Sequence, residues 1–211
     1  MNYLIREPKT KKDKNPLLLL LHGYGSNEED LFSFAEELPE EYYVISVQAP
    51  YALQPYGYAW YAINFDADMN KFSDDKQAIE SRELIVRFLD ELIEKYPIDP
   101  NNITLIGFSQ GSILSYSVAL SYPEKVNRVV ALSGYLNEDI LKENYKNNDF
   151  TNLNFFVSHG SADQVIPVEW ARKTPEFLNK LGVKNVYFEY PVGHGVAPKN
   201  FFDFKNWILN N

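Results

Sequence analysis

The chain has 211 residues, no cysteine and a formal net charge of −9. Disulfides, thiolate metal sites and a cysteine nucleophile are excluded outright, and an acidic surface repels a phosphate backbone, so nucleic acid is not an expected partner. With 45% hydrophobic residues the chain can enclose a core, and its length suits one α/β domain over residues 1–211.

Tyr3–Arg6 reads as an edge strand, and Lys9, Lys11, Lys12 and Lys14 as a solvated approach to the run Leu17–Leu21. Five leucines are too few for a bilayer span or a secretory signal. The run is read as a buried strand, with no membrane span and a cytoplasmic location expected. Ser26 and Glu29 have capping-box spacing, and Leu31, Phe34 and Leu38 follow on one helical face. Tyr43–Val47 is a strand, and Ala49–Phe72 an irregular stretch. A helix is predicted from about Asp74 to Tyr96, its stripe including Ile79, Ile85, Leu89, Leu92 and Tyr96, with Pro97 as the stop.

Strand Ile103–Ile106 leads into helix Gln110–Ser121, which ends near Pro123. Strand Val129–Leu132 precedes a second irregular stretch, Gly134–Thr151. Strand Asn154–Ser158, a helix over Pro167–Leu181 capped by Gly182, strand Val186–Tyr190 and helix Pro198–Leu209 complete the chain. Short, nearly continuous apolar runs suit strands buried on both faces. Their alternation with helices predicts a mostly parallel sheet of about seven strands, helices on both faces, and ligands bound beyond the strands' C-terminal ends.

At one such end, Gly107-Phe108-Ser109-Gln110-Gly111 matches G-x-S-x-G between a strand and a helix. That setting makes a sharp turn exposing the serine Oγ at a helix N-terminus, where developing negative charge is favoured. The bland alternative is a glycine-bounded turn with a capping serine. Leu21-His22-Gly23-Tyr24-Gly25 ends the leucine strand, where sheets carrying this serine turn place their second oxyanion donor. The proposed donors are the backbone N–H groups of Tyr24 and Gln110. A dinucleotide-binding loop is the competing reading, but it lacks the further glycine it needs.

Only three histidines are present. In this architecture the order is serine, acid, histidine, and His194, in Gly193-His194-Gly195 beyond the last strand, alone comes late enough. His22 and His159 are read as satisfied structural histidines. Asp163, just past strand Asn154–Ser158, is placed to orient the imidazole, the alternative being a helix cap. His159 with Asp163 would supply two metal ligands without a third, which is poor evidence for a metal. Asn102-Ile103-Thr104 has the form of a glycosylation sequon but opens a buried strand.

Together these segments resemble the phospholipase/carboxylesterase group of α/β-hydrolases, which includes the acyl-protein thioesterases, along essentially the whole chain. The resemblance implies an α/β-hydrolase fold without a large lid domain and a triad of Ser109, Asp163 and His194. It also implies hydrolysis of small to medium acyl esters or thioesters through an acyl-enzyme, with no metal or cofactor. The family's eukaryotic thioesterases usually carry Leu and Asp where this chain has Tyr24 and Ser26, which points to a bacterial-type small esterase. Acyl-protein thioesterase or lysophospholipase activity on longer chains is the alternative, and a non-catalytic scaffold binding a small hydrophobic ligand is the alternative of another class. Dienelactone hydrolases, similar in size, use a cysteine that is absent here. The aromatic loop Tyr51–Phe65 is the candidate pocket wall, a loop pinned to the core being the equal alternative. Trp60, which matches a Trp in the family, and Ile166 are the candidate substrate contacts. Exposed aromatics leave monomer or homodimer open.

Overall fold

The computed structural model describes residues 1–65 and 71–211. In chain order its strands are β1 (Tyr3–Arg6), β2 (Asn15–Leu21), β3 (Tyr43–Val47), β4 (Tyr51–Ala52), β5 (Tyr58–Ala59), β6 (Ile63–Phe65), β7 (Lys71–Ser73), β8 (Ile98–Phe108), β9 (Arg128–Leu132), β10 (Asn154–Gly160) and β11 (Lys184–Tyr190). Seven of them form one sheet in the order β1-β3-β2-β8-β9-β10-β11. β1 is antiparallel to β3, and every other pairing in this sheet is parallel. β4–β5 and β6–β7 are two short ribbons inside the first irregular stretch.

The helices are α1 (Glu29–Phe32), α2 (Asp75–Lys95), α3 (Gln110–Ser121), α4 (Val168–Ala171), α5 (Thr174–Lys180) and α6 (Pro198–Asn210). The pleat of β2 sends Leu17, Leu19 and Leu21 to one side, where they join buried residues of α2, α3 and α5. Leu18 and Leu20 point the other way, against Leu31, Ala35 and Leu38 and against Phe201, Phe204 and Ile208 of α6. A continuous leucine run is therefore what a strand covered on both faces requires.

Three expectations are corrected. The predicted helix Pro167–Leu181 is two helices, α4 and α5. Pro175 lies in the first turn of α5; continuing the helix through it would set its ring against the carbonyl of Ala171. Gly182, at φ +72°, does end α5: its N–H reaches Asn179 O and that of Val183 reaches Leu178 O, a Schellman closure. Ser26 is not the N-cap of α1. Its hydroxyl donates to Asp30 Oδ2 instead, and Asn27 Oδ1 accepts from the Glu29 amide. Finally, β11 is an edge strand with Val186 and Phe188 partly exposed, not a strand buried on both faces.

Helix α2 starts and stops as its sequence dictates. Asp74 accepts from the Gln77 amide at its N-terminus, and the helix ends at Lys95, ahead of Pro97. Among the described residues, no helix is long and apolar enough to cross a membrane.

Candidate active site

Ser109 sits between β8 and α3 with φ 53° and ψ −115°, a conformation L-residues rarely adopt. The strain is held in place from both sides. The Ser109 amide donates to Leu132 O, and its carbonyl accepts from Ile113 N. The helix can begin this close to the sheet because residue 111 is glycine: a Cβ there would lie 2.0 Å from Leu21 O and 2.8 Å from His22 O.

The structure brings the three predicted residues into one hydrogen-bonded chain. Ser109 Oγ lies 2.9 Å from His194 Nε2, and His194 Nδ1 lies 2.7 Å from Asp163 Oδ2. Carboxylates only accept when ionised, so Nδ1 donates to Asp163 and Nε2 is left to accept the serine proton. The other carboxylate oxygen accepts from the amides of Val165 at 2.8 Å and Ile166 at 2.9 Å. Burial alone would push the Asp163 pKa up, but these bonds from His194, Ile166 and Val165 outweigh it and hold it below the usual carboxylate range. A carboxyl group depressed in the folded state stabilises the protein above its unfolded pKa of about 3.9, and that contribution is lost as pH falls through the lower folded value.

His159 is buried beside Asp163. Its Nε2 donates to Ile166 O at 2.9 Å and lies 3.3 Å from Asp163 Oδ2. The loops carrying Asp163 and His194 are bonded together, Ser161 N to Tyr190 O and Ala162 N to Val192 O. Their approach is so close that a Cβ on Gly160 would lie 2.1 Å from Gly193 O. Phe108 lies against the His194 ring, with centroids 5.0 Å apart.

The loop after β2 reaches Ser109 directly: a Cβ on Gly23 would meet Ser109 Cβ at 3.3 Å. The amides of Gly25 and Ser26 fix this loop, bonding to Tyr58 O and Gly23 O, and that of Tyr24 makes neither bond. Gln110, the first residue of α3, has an amide without an intrahelical partner. These are the two amides read from the sequence as oxyanion donors.

His22 holds the loop from within. Its Nε2 accepts from the Ala49 amide and its Nδ1 donates to Gly23 O, which specifies a neutral tautomer. Burial lowers its pKa, so the ring stays neutral.

Trp60 is not a pocket wall. It is fully buried, and its indole N–H donates to His22 O at 2.9 Å. Its amide donates to Gln110 Oε1 at 2.8 Å, while Gln110 Nε2 donates to Tyr61 O at 2.8 Å. Trp60 therefore braces the loop after β2 and the head of α3 from behind. The sequence-based assignment failed because an aromatic-rich loop does not reveal which rings face inward. The side chain of Phe65, at the end of that loop, lies outside the described residues.

A cavity of about 300 Å³ opens over Ser109 and His194. Its apolar walls come from Tyr61, Ile63, Ile113, Tyr135, Ile166 and Trp170. Ile166, named from the sequence as a candidate substrate contact, is among them. Tyr135 and Trp170 were missed, although Tyr135 follows the C-terminal end of β9, where a parallel sheet presents ligand-binding groups.

The model of the family described as phospholipase/carboxylesterase matches residues 3–210. The chain is similar to acyl-protein thioesterase 1 of Yarrowia lipolytica, 29% identical over 213 residues covering 92% of this chain and 91% of the relative. It is also similar to acyl-protein thioesterase 1 of Candida albicans, 26% identical over 225 residues covering 98% and 96%. In fold it is similar to the carboxylesterase of Bacillus cereus, with a TM-score of 0.86 at 22% identity over 100% of this chain and 94% of that one.

Proposed function

The chain belongs to the phospholipase/carboxylesterase family, and from that premise we propose that Ser109, His194 and Asp163 hydrolyse small to medium acyl esters or thioesters through an acyl-enzyme. The protein is a hydrolase of the serine esterase type, and acyl-protein thioesterase activity is consistent with its relatives. The observation that carries the residue assignment is the unbroken chain from Asp163 through His194 to Ser109, at 2.7 and 2.9 Å.

The chemistry follows from the donors and acceptors. His194 Nε2 takes the hydroxyl proton as Ser109 Oγ attacks the carbonyl carbon, and Asp163 stabilises the imidazolium that forms. The carbonyl oxygen becomes an oxyanion facing the amides of Tyr24 and Gln110, each such donor being worth about 3 kcal/mol of barrier. His194 then delivers its proton to the leaving alcohol or thiol. Water, deprotonated by the same imidazole, attacks the acyl-serine and releases the acid. A cavity of about 300 Å³ lies at the small end of ligand sites and favours short to medium acyl groups over long ones.

The test is hydrolysis of p-nitrophenyl esters from acetate to palmitate by the wild type and Ser109→Ala. We expect an optimum at short or medium length, and a loss in kcat on the order of 10⁵-fold or more in the variant, with its circular dichroism unchanged. A wild type inactive on every ester, and unlabelled by a fluorophosphonate, would put a ligand-binding scaffold in place of the enzyme.

A further inference from the structure

The cavity above Ser109 has a neighbour. A second cavity, of about 550 Å³, lies against α5, with Leu136 and Phe177 among its lining residues. Among the described residues, Tyr135 and Trp170 are the two that line both spaces. Their rings meet edge to face, centroids 5.0 Å apart and planes at 75°. They therefore stand as a partition, with the nucleophile on one side and a larger space on the other.

We propose that this ring pair is the wall that limits acyl length, and that the space behind it takes the tail of a longer acyl chain when the wall opens. The inference rests on the esterase reading above. The chemistry of the second space suits a hydrocarbon tail. Leu136, Phe177 and the far sides of the two rings are apolar. Of the four charged residues that line it, Glu176 pairs with Lys180 at 2.8 Å, and Glu138 with Lys146 at 3.0 Å and the Tyr145 hydroxyl at 2.6 Å, while Lys173 stands at its rim outside these pairs.

The two halves of the wall differ in how firmly they are held. Tyr135 follows Ser133, whose φ of 50° turns the chain sharply at the end of β9, and whose amide is tied to Ser158 O. Trp170 is 47% exposed on α4, a single turn of helix. Rotation of its side chain disturbs little buried structure, which makes Trp170 the movable half and Tyr135 the post.

The test compares kcat/KM across p-nitrophenyl esters from acetate to laurate for the wild type, Trp170→Ala, Trp170→Phe and Tyr135→Ala. Each methylene newly taken from water contributes about fourfold. The ratio of decanoate to butyrate activity should therefore rise at least about tenfold in Trp170→Ala. It should move the same way in Tyr135→Ala and stay near the wild-type value in Trp170→Phe, which keeps a ring in the wall. Inactivation rates with alkyl fluorophosphonates of increasing chain length should shift in parallel. An active, folded Trp170→Ala and Tyr135→Ala with the wild-type length profile would overturn the wall. A wild type inert to every ester and fluorophosphonate would instead remove the esterase reading, and the wall's role with it.

Discussion

Ser109 and the glycine loop of residues 22–25 leave β8 and β2, two strands at the middle of the sheet, whereas Asp163 and His194 leave β10 and β11, where the sheet runs out into solvent. β2 is buried along its whole length, and β11 is buried only at Tyr190. The centre is held by packing. The strained backbone of Ser109 persists because β8, β9 and α3 leave it no other place, and Gly111 lets the helix approach within contact of Leu21 O. The edge is held by hydrogen bonds. His194 is positioned by Asp163, Asp163 by two amides, and the two loops by bonds between their backbones. The proposed nucleophile, which must not move, sits between fully buried strands, while the proposed base, which must accept and return a proton, is steered by a network.

That contrast can be broken at several points. The largest effect is expected at the edge network. Asp163→Asn should leave the fold intact yet reduce kcat by on the order of 10³ to 10⁴, because the amide no longer imposes the productive imidazole tautomer. Steady-state kinetics beside circular dichroism measure this, and a loss below tenfold would mean that packing, rather than the carboxylate, orients His194.

Next come two matched glycine substitutions. Gly111→Ala and Gly160→Ala each drive a Cβ to within 2.0–2.1 Å of a backbone oxygen. At the centre Leu21 is paired to strands on both sides, so Gly111→Ala should cost about 3–5 kcal/mol in urea unfolding. At the edge the Gly193 loop can yield. Gly160→Ala should cost only about 1–2 kcal/mol while lowering kcat on the order of 100-fold through displacement of His194. Equal losses of stability would erase the distinction.

The smallest effect compares two apolar side chains. Leu19→Ala, in β2, should cost about 3 kcal/mol as a cavity opens. Phe188→Ala, in β11, should cost about 1 kcal/mol or less, because the residue is already 42% exposed. Thermal unfolding of the pair gives the comparison, and a Phe188→Ala shift as large as that of Leu19→Ala would show that the edge carries core-like stability.

How much of this could be read beforehand depended on the range over which the information is written. The serine turn, its flanking strand and helix, and α2 with its Asp74 cap and its end ahead of Pro97 are all encoded within a few residues. Spacing and turn chemistry act at that range. The break between α4 and α5 was equally local. Pro175 signalled it, and the apolar periodicity on either side obscured it. The exposure of β11 was not local, since an apolar run looks the same whether or not another strand or helix covers it. Nor was the role of Trp60, whose amide meets Gln110 across 50 residues of chain and whose indole meets His22 across 38. The meeting of Tyr135 with Trp170 is of the same kind. Sequence determined which residues can do chemistry and on which turns they stand, because those are short-range properties of backbone and side chain. Tertiary structure alone decided which aromatic rings brace the site and which bound its cavity, because that depends on where distant loops converge above the sheet.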